Sequence, residues 1–219
     1  MKEFSSETFF CLNDFMHKEL FLQIDFVWKA LQNLEIYLSK QNLGNIEVEI
    51  PPGVYLEDKS KISIGKGTVL EAGSYIKGPC IIGSNCRISH GAYIRENVIT
   101  GSDCVIGHAT EIKHSILLNR VQAPHFNYVG DSILGNDSHL GAGANCANLR
   151  LDKKMITFYY DGKKIETGLK KLGVILGDGA QIGCNAVTSP GTFLGKSSIC
   201  YPCTHVNGYG KENSIYKGS

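Results

Sequence analysis

The segment that decides the fold is ISIGKGTVLEAGSYIKGPCIIGSNCRISHGAYIRENVITGSDCVIGHATEIKHSILL, residues 62–118. An aliphatic residue recurs in it every six positions, and a mostly small side chain stands two residues before most of them. This column comprises Ile64, Leu70, Ile76, Ile82, Ile88, Ile94, Thr100, Ile106, Ile112 and Leu118. A period of six fits neither an amphipathic helix nor a two-sided strand, and it is typical of the hexapeptide repeat of a parallel β-helix.

The repeat resembles that of the left-handed β-helix family, in which three hexapeptides form one coil. We therefore predict a mainly β protein, a single-stranded left-handed parallel β-helix. The column breaks between Leu118 and Tyr128, which are ten residues apart rather than six. This break predicts a short inserted loop over residues 121–125. A second, Lys-rich break contains Asp161-Gly162 between two strand-like runs, which predicts a projecting hairpin arm over residues 148–173.

The first residues of the chain follow a different pattern. Apolar residues step by three and four, which predicts an amphipathic helix; they are Leu20, Ile24, Val27, Leu31, Leu34 and Leu38. We expect this helix to cover the open end of the β-helix, because solenoids need capping. The predicted organisation is a helical cap over 1–45, the β-helix over 46–206 and a C-terminal tail over 207–219.

The composition excludes several classes of protein. The 219 residues have a net charge of +1, 42% hydrophobic and 20% charged residues, which is typical of a globular protein and not of a basic nucleic-acid binder. The chain contains no apolar run of about 18 residues, so we expect no membrane span. Most of the eight cysteines stand at repeat positions that favour small buried side chains. We interpret them as reduced thiols in a cytoplasmic protein.

Arg95 and Lys113 are the first candidates for a binding site. Each directly follows a residue of the column, so the two lie on neighbouring coils and on the same edge. Two adjacent cations favour an anion such as a phosphate or a carboxylate between them. The alternative is a pair of solvated surface cations.

Histidines are the second group of candidates. His125 lies in the predicted loop after Pro124, and histidine is the natural general base near neutral pH. His90 and His108 lie one coil apart, but no third histidine has an obvious companion spacing. Cys200 and Cys203 lack a second Cys-x-x-Cys pair, so we predict no metal site.

Three motifs add a family resemblance: APHFNYVGDSILG at 123–135, LGAG at 140–143, and KKLG at 170–173 with ILGDG at 175–179. This sequence resembles the acetyltransferase domain of the bifunctional N-acetylglucosamine-1-phosphate uridyltransferase/glucosamine-1-phosphate acetyltransferase family, and in its later part the archaeal-type sugar-1-phosphate nucleotidylyltransferases that carry such a domain. The resemblance covers roughly residues 50 to 200, and the uridyltransferase half of the family has no counterpart.

The resemblance implies an activity and a set of site residues. The activity is transfer of acetyl from acetyl-CoA to glucosamine 1-phosphate, which gives N-acetylglucosamine 1-phosphate for UDP-N-acetylglucosamine biosynthesis. His125 corresponds to the catalytic base of the family, and the substrate-binding residues correspond to Arg95, Lys113, Tyr128, Asn148, Lys154 and His139. The coenzyme is expected at Gly141, Ala142, Cys184 and Pro202. The family forms homotrimers with sites between the prisms, so a homotrimer is expected here.

Other functions stay open on the sequence. The family usually has Asn where this chain has His139. An alternative is therefore an acyltransferase that acts on another amino sugar or on a nucleotide sugar. The family also uses a C-terminal Arg toward coenzyme A, and the chain has no Arg after Arg150. That absence favours a non-catalytic trimeric subunit that binds sugar nucleotides. A β-helical carbonic anhydrase is the third alternative, and it needs a bound metal.

Overall fold

The computed structural model describes residues 2–218, and its main body is a three-sided parallel β-helix. Each face is a parallel sheet of eight short strands, one from each coil. The first face contains Ile62–Ile64, Cys80–Ile82, Val98–Thr100, Ser115–Leu117, Ile133–Leu134, Val174–Leu176, Thr192–Leu194 and Tyr209–Gly210. The second contains Val69–Leu70, Arg87–Ile88, Val105–His108, Gln122–His125, His139–Leu140, Gln181–Ile182, Ile199–Cys200 and Ile215–Tyr216. The third contains Tyr55–Glu57, Tyr75–Lys77, Tyr93–Ile94, Glu111–Lys113, Tyr128–Gly130, Asn145–Cys146, Val187–Thr188 and His205–Val206.

The six-residue repeat produces this prism because one strand and one corner together use six residues. The column residues point inward and stack in register, as Ile64 does on Ile82 and Ile76 on Ile94, and all four are almost fully buried. The small residues before them fill the corners, and the five cysteines at inward positions are buried free thiols. The fold prediction is therefore confirmed, and the coils are consistent with the left-handed winding that the repeat predicts.

The coil after Lys113 differs from the prediction. Ile112 lies opposite Val129, so this coil is shortened by one residue and contains no inserted loop. The strand Gln122–His125 occupies the position of the predicted loop and pairs with Val105–His108. Leu117 and Val129 consequently point inward in place of Leu118 and Tyr128. The prediction of a loop at 121–125 is wrong because the corner at His114 is tighter, so the column shifts by one residue.

The N-terminal segment lies along the first face, not across the open end of the coils. It contains the α-helices Ser6–Phe9 and Lys29–Ser39 and the 3-10 helices Lys2–Phe4 and Lys18–Phe21, so the predicted helix begins only at Lys29. A further 3-10 turn, Lys59–Lys61, precedes the first face. The outward side chains of the first face are apolar and pack against Phe4, Phe9 and Trp28; they include Ile99, Ile116, Ile133, Ile175 and Phe193. Burial of this apolar stripe explains where the segment lies.

The insertion also folds back onto the body. Its strands Thr157–Tyr160 and Lys163–Glu166 form the predicted hairpin, but Phe158 and Ile165 are buried against the N-terminal segment. The expectation of a projecting arm is therefore wrong, because one side of the hairpin is apolar. The coils also continue past the predicted boundary at residue 206, since Tyr209–Gly210 and Ile215–Tyr216 pair with the preceding coil. Within residues 2–218, none of the helices has the length and hydrophobicity that crossing a bilayer requires.

Candidate functional site

Arg95 and Lys113 lie on neighbouring coils at the end of the third face, as the spacing predicts. Ile94 is opposite Ile112, and the Arg95 amide donates to the Ile112 carbonyl at 2.8 Å. The two side chains line a pocket of about 220 Å³. Lys171 from the insertion lines the same pocket, where a bridge between Leu149 and Lys171 closes the base of the insertion. We call this the cationic pocket, and its other lining residues are Glu96, Asn97, His114 and Asp131.

Each of the two cations is paired with a carboxylate. Nη1 of Arg95 donates to Glu111 at 2.9 Å, and Nζ of Lys113 lies 3.2 Å from Asp131. Glu111 and Asp131 therefore offset part of the repulsion between the Arg95 and Lys113 cations. The sequence analysis missed both carboxylates, although each lies about one coil away from its cation. Nε of Arg95 is a buried donor that has no partner among residues 2–218.

Tyr128 and Asn148 join this group through Gly130. A Cβ atom at Gly130 would lie 2.6 Å from Nδ2 of Asn148 and 2.7 Å from the Tyr128 hydroxyl, so glycine leaves the space that both side chains fill. Asn148 also donates to the Asp131 carboxylate. Burial raises the pKa of Tyr128, and the charges of Glu111 and Asp131 add to this effect. The hydroxyl therefore stays protonated and can donate a hydrogen bond to an anion.

His125 lies at the corner between the second and third faces, where its side chain is exposed. His108 pairs with it in register on the preceding coil, and His90 lies one coil further back. The expectation that no third histidine accompanies this pair is thus wrong, because the shortened coil puts His125 in the same column. Rings of His90 and His108 stack with centroids 5.6 Å apart. Among residues 2–218, no cluster of three or more His, Cys, Asp or Glu side chains is arranged to hold a metal ion.

His139 also lies on the second face, where it is opposite Gln122, and it is close enough to His125 for their charges to interact. It is half-buried, and burial lowers its pKa, with a smaller contribution from the charge of His125. A neutral imidazole at this position can accept a hydrogen bond as well as donate one. His139 is therefore suited to contacting a hydroxyl or an amine of a ligand near His125.

The residues expected at the coenzyme follow His125 along the same corner. The amide of Gly143 donates to the His125 carbonyl at 3.0 Å, and that of Asn185 donates to the Ala142 carbonyl at 2.8 Å. Gly183 and Gly141 allow close packing here, because a Cβ atom at Gly141 would lie 2.6 Å from the Cys184 amide nitrogen. Pro202 lies one coil beyond, packed over Gly183. We call this line of Gly141, Ala142, Cys184 and Pro202 the corner column.

Lys154 does not line the cationic pocket. It is exposed in the insertion, where its amide donates to Asp152 at 3.2 Å. The lysine of the insertion that lines the cationic pocket is Lys171, not Lys154. The sequence analysis missed Lys171 because its position depends on the bridge to Leu149, which is a contact between the two ends of the insertion.

The chain is similar to several known proteins. A bifunctional sugar-1-phosphate nucleotidylyltransferase/acetyltransferase of Sulfurisphaera tokodaii is 36% identical over 83% of this chain and 44% of its own length. The bifunctional protein GlmU of Methanococcus vannielii is 36% identical over 47% of this chain and 25% of its own length. The chain thus spans less than half the length of either relative. Among solved structures, the polySia-specific acetyltransferase NeuO aligns at 14% identity over 77% of this chain and 91% of its own, with a TM-score of 0.44.

A family model also matches the chain. The model described as the GMPPB C-terminal domain matches residues 76–210, which include the cationic pocket, His125 and the corner column. This range is more than half of the chain and most of the β-helix. The chain therefore belongs to the GMPPB C-terminal domain family.

Proposed function

We propose that the protein is an acetyl-CoA-dependent N-acetyltransferase whose acceptor is an amino-sugar phosphate, with glucosamine 1-phosphate the first candidate. The product, N-acetylglucosamine 1-phosphate, would serve UDP-N-acetylglucosamine biosynthesis. The observation that carries the proposal is the position of His125, which lies one coil before Ala142 of the corner column and three residues before Tyr128 at the cationic pocket. The names of the relatives, which include acetyltransferases of sugar-1-phosphate pathways, support it.

In this proposal the cationic pocket binds the phosphate. Arg95, Lys113 and Lys171 supply positive charge, and the Tyr128 hydroxyl donates a hydrogen bond. Asn148 orients the sugar, and His139 contacts its ring. Lys154 is exposed, and it would act only in the site of another subunit of a homotrimer.

His125 is the proposed general base. The acceptor reacts as the neutral amine, and its nitrogen gains positive charge as it attacks the thioester carbonyl, so a base must take one N–H proton. His125 takes that proton, a C–N bond forms, and the C–S bond then breaks. The proton returns from the imidazolium to the departing coenzyme A sulfur. Acyl transfer by this route requires no metal.

The corner column is the proposed binding site of the coenzyme. Gly141 and Gly143 already donate their amides to the Ile182 and His125 carbonyls, at 2.6 and 3.0 Å. The Ala142 amide makes no such bond within residues 2–218, so it is the candidate donor to the tetrahedral oxyanion. Cys184 and Pro202 would then contact the pantetheine arm on the following coils.

A thiol-release assay tests the proposal. The purified chain is incubated with acetyl-CoA and a panel of glucosamine 1-phosphate, glucosamine 6-phosphate, glucosamine and a nucleotide-linked amino sugar. Thiol release that requires glucosamine 1-phosphate supports the proposal. Release only with another amino sugar supports a related acyltransferase, and the observation that favours this alternative is the half-buried His139 within charge range of His125. Binding of a sugar nucleotide without release supports a non-catalytic subunit.

A further inference from the structure

Tyrosines form a ladder on the third face next to the cationic pocket. Tyr55 pairs with Tyr75 and Tyr75 with Tyr93, so the three side chains project from consecutive coils. The Tyr55 and Tyr75 rings are stacked with centroids 6.3 Å apart. The Tyr75 and Tyr93 rings meet edge to face at 5.4 Å and 89°, and all three side chains are exposed. Nothing in the proposed acetyl transfer uses them.

Tyr75 and Tyr93 enclose a shallow groove of about 230 Å³. The edge-to-face arrangement leaves one ring face and one ring edge turned toward this space, which suits a planar ring inserted against them. Tyr75 is held in place because its hydroxyl bonds to Glu57, which also pairs with Lys77 at 3.1 Å. The groove is therefore preformed, and ordering it on binding costs little.

Arg95 joins this groove to the cationic pocket. Its guanidinium lies 5.9 Å from the centroid of the Tyr93 ring, and the same side chain lines the cationic pocket. One ligand could therefore place a phosphate at Arg95, Lys113 and Lys171 and a planar ring at Tyr75 and Tyr93. Any of the nucleobases can stack on a tyrosine ring or on an arginine guanidinium plane, because every base has a flat π-face.

We propose that Tyr75 and Tyr93 form a nucleobase subsite, and that a nucleoside monophosphate binds across this subsite and the cationic pocket. The proposal rests on the anion site of the proposed function and adds a second ligand class to it. A nucleoside monophosphate bound in this way occupies the phosphate position and competes with the phosphorylated acceptor.

Docking of a second copy of the chain is the other reading of an exposed tyrosine ladder. The charges beside the ladder favour a nucleotide, because Glu57, Lys77 and Arg95 project next to the three rings on the same face. A self-association surface would instead be depleted of charge at its centre. The oligomeric state of the variants below separates the two readings.

Calorimetric titration with AMP, UMP and ribose 5-phosphate tests the proposal. Ribose 5-phosphate carries the phosphate without a base, so its affinity measures binding to the cationic pocket alone. We expect AMP and UMP to bind about tenfold more tightly than ribose 5-phosphate, since each base adds a stacking contact. Tyr93→Ala should abolish this difference, and Tyr93→Phe should keep it. Tyr55→Ala is the matched control, because Tyr55 belongs to the ladder but does not line the groove.

Each contrary result has a distinct meaning. Equal affinity of AMP and ribose 5-phosphate for the wild-type protein would overturn the subsite and leave the anion site intact. Failure of all three compounds and of glucosamine 1-phosphate to bind would overturn both the anion site and the subsite. A change of sedimentation coefficient in Tyr93→Ala, with the AMP preference unchanged, would assign the ladder to contact with a second copy.

Discussion

Nζ of Lys113 lies 3.2 Å from Oδ2 of Asp131 on the next coil, and both side chains are largely buried. Asn148 donates to the same carboxylate. The pair holds the ammonium group at the wall of the cationic pocket, where a phosphate could reach it. Removal of either partner should lower the stability of the fold, because a buried charge that loses its counterion is strongly destabilising.

Replacing Asp131 tests this expectation. Asp131→Asn leaves the Lys113 ammonium without its counterion, so we expect the free energy of unfolding in urea to fall by about 3 kcal/mol. The double variant Lys113→Met, Asp131→Asn should recover much of this loss, because it removes the unpaired ammonium and Asn tolerates the left-handed backbone at position 131. Asp137→Asn is the matched control, since the Arg120–Asp137 pair is half-exposed and should cost less than about 1 kcal/mol. Equal losses in the two single variants would contradict burial as the cause.

His125→Ala should lower the acetyl-transfer rate by about 10²–10⁴. Its side chain is exposed, so the melting temperature should stay close to that of the wild type. His108→Ala is the matched control, because His108 occupies the same column one coil earlier. The measurement is thiol release at saturating acetyl-CoA, and a variant with wild-type turnover would exclude His125 as the base.

Arg95→Ala should raise the KM for the phosphorylated sugar by about 10- to 100-fold, which corresponds to loss of a charge-assisted hydrogen bond. The KM for acetyl-CoA should change little, because the corner column lies at a different corner of the prism. Arg87→Ala serves for comparison, since Arg87 pairs with Glu71 on the second face. Similar increases in both KM values would argue against a phosphate contact at Arg95.

Phe4 anchors the N-terminal segment, and its replacement should loosen that segment. The Phe4 ring contacts Trp28, Phe158, Tyr160, Phe193 and Tyr209 with centroid separations of 5.0 to 5.9 Å. Phe4→Ala should reduce the free energy of unfolding by about 3–5 kcal/mol. Phe126→Ala, at a ring that is 56% exposed, should change it by about 1 kcal/mol or less. Unfolding curves in urea that coincide for the two variants would mean that the N-terminal segment contributes little to stability.

His17 makes stability depend on pH. Burial lowers the pKa of His17 from its ordinary value of 6.5 to about 4, while its Nδ1 bonds to the Tyr37 hydroxyl at 2.9 Å. The unfolded chain binds a proton below pH 6.5 and the folded chain only near pH 4, so protonation favours the unfolded state between these values. Stability should therefore be fully present above this window and fall on the order of 3 kcal/mol across it.

Urea unfolding of His17→Gln at several pH values measures this contribution. The decline between pH 6.5 and about 4 should be shallower in His17→Gln than in the wild type. His205→Gln, at an exposed histidine, should follow the wild-type curve. Parallel curves for the wild type and His17→Gln would show that His17 is protonated equally in both states.

Much of the candidate site could be predicted from the spacing of residues. Once the repeat defines a coil, Arg95 and Lys113 must lie on neighbouring coils, and the structure places them so. The one-residue shortening of the coil after Lys113 could not be predicted, because Leu117 and Leu118 are both leucines and either one continues the column. That single residue decides that Val129 points inward and that His125 joins the column of His90 and His108.

The sequence by itself determined the β-helix, since a six-residue period is a local property and each coil repeats the same strand-and-corner geometry. Only the tertiary structure decided where the irregular segments lie. The N-terminal segment and the hairpin cover the first face because Ile116, Ile175 and Phe193 present apolar surface outward there. Burial of that surface depends on residues far apart in the chain, and no periodicity within either segment specifies its partner.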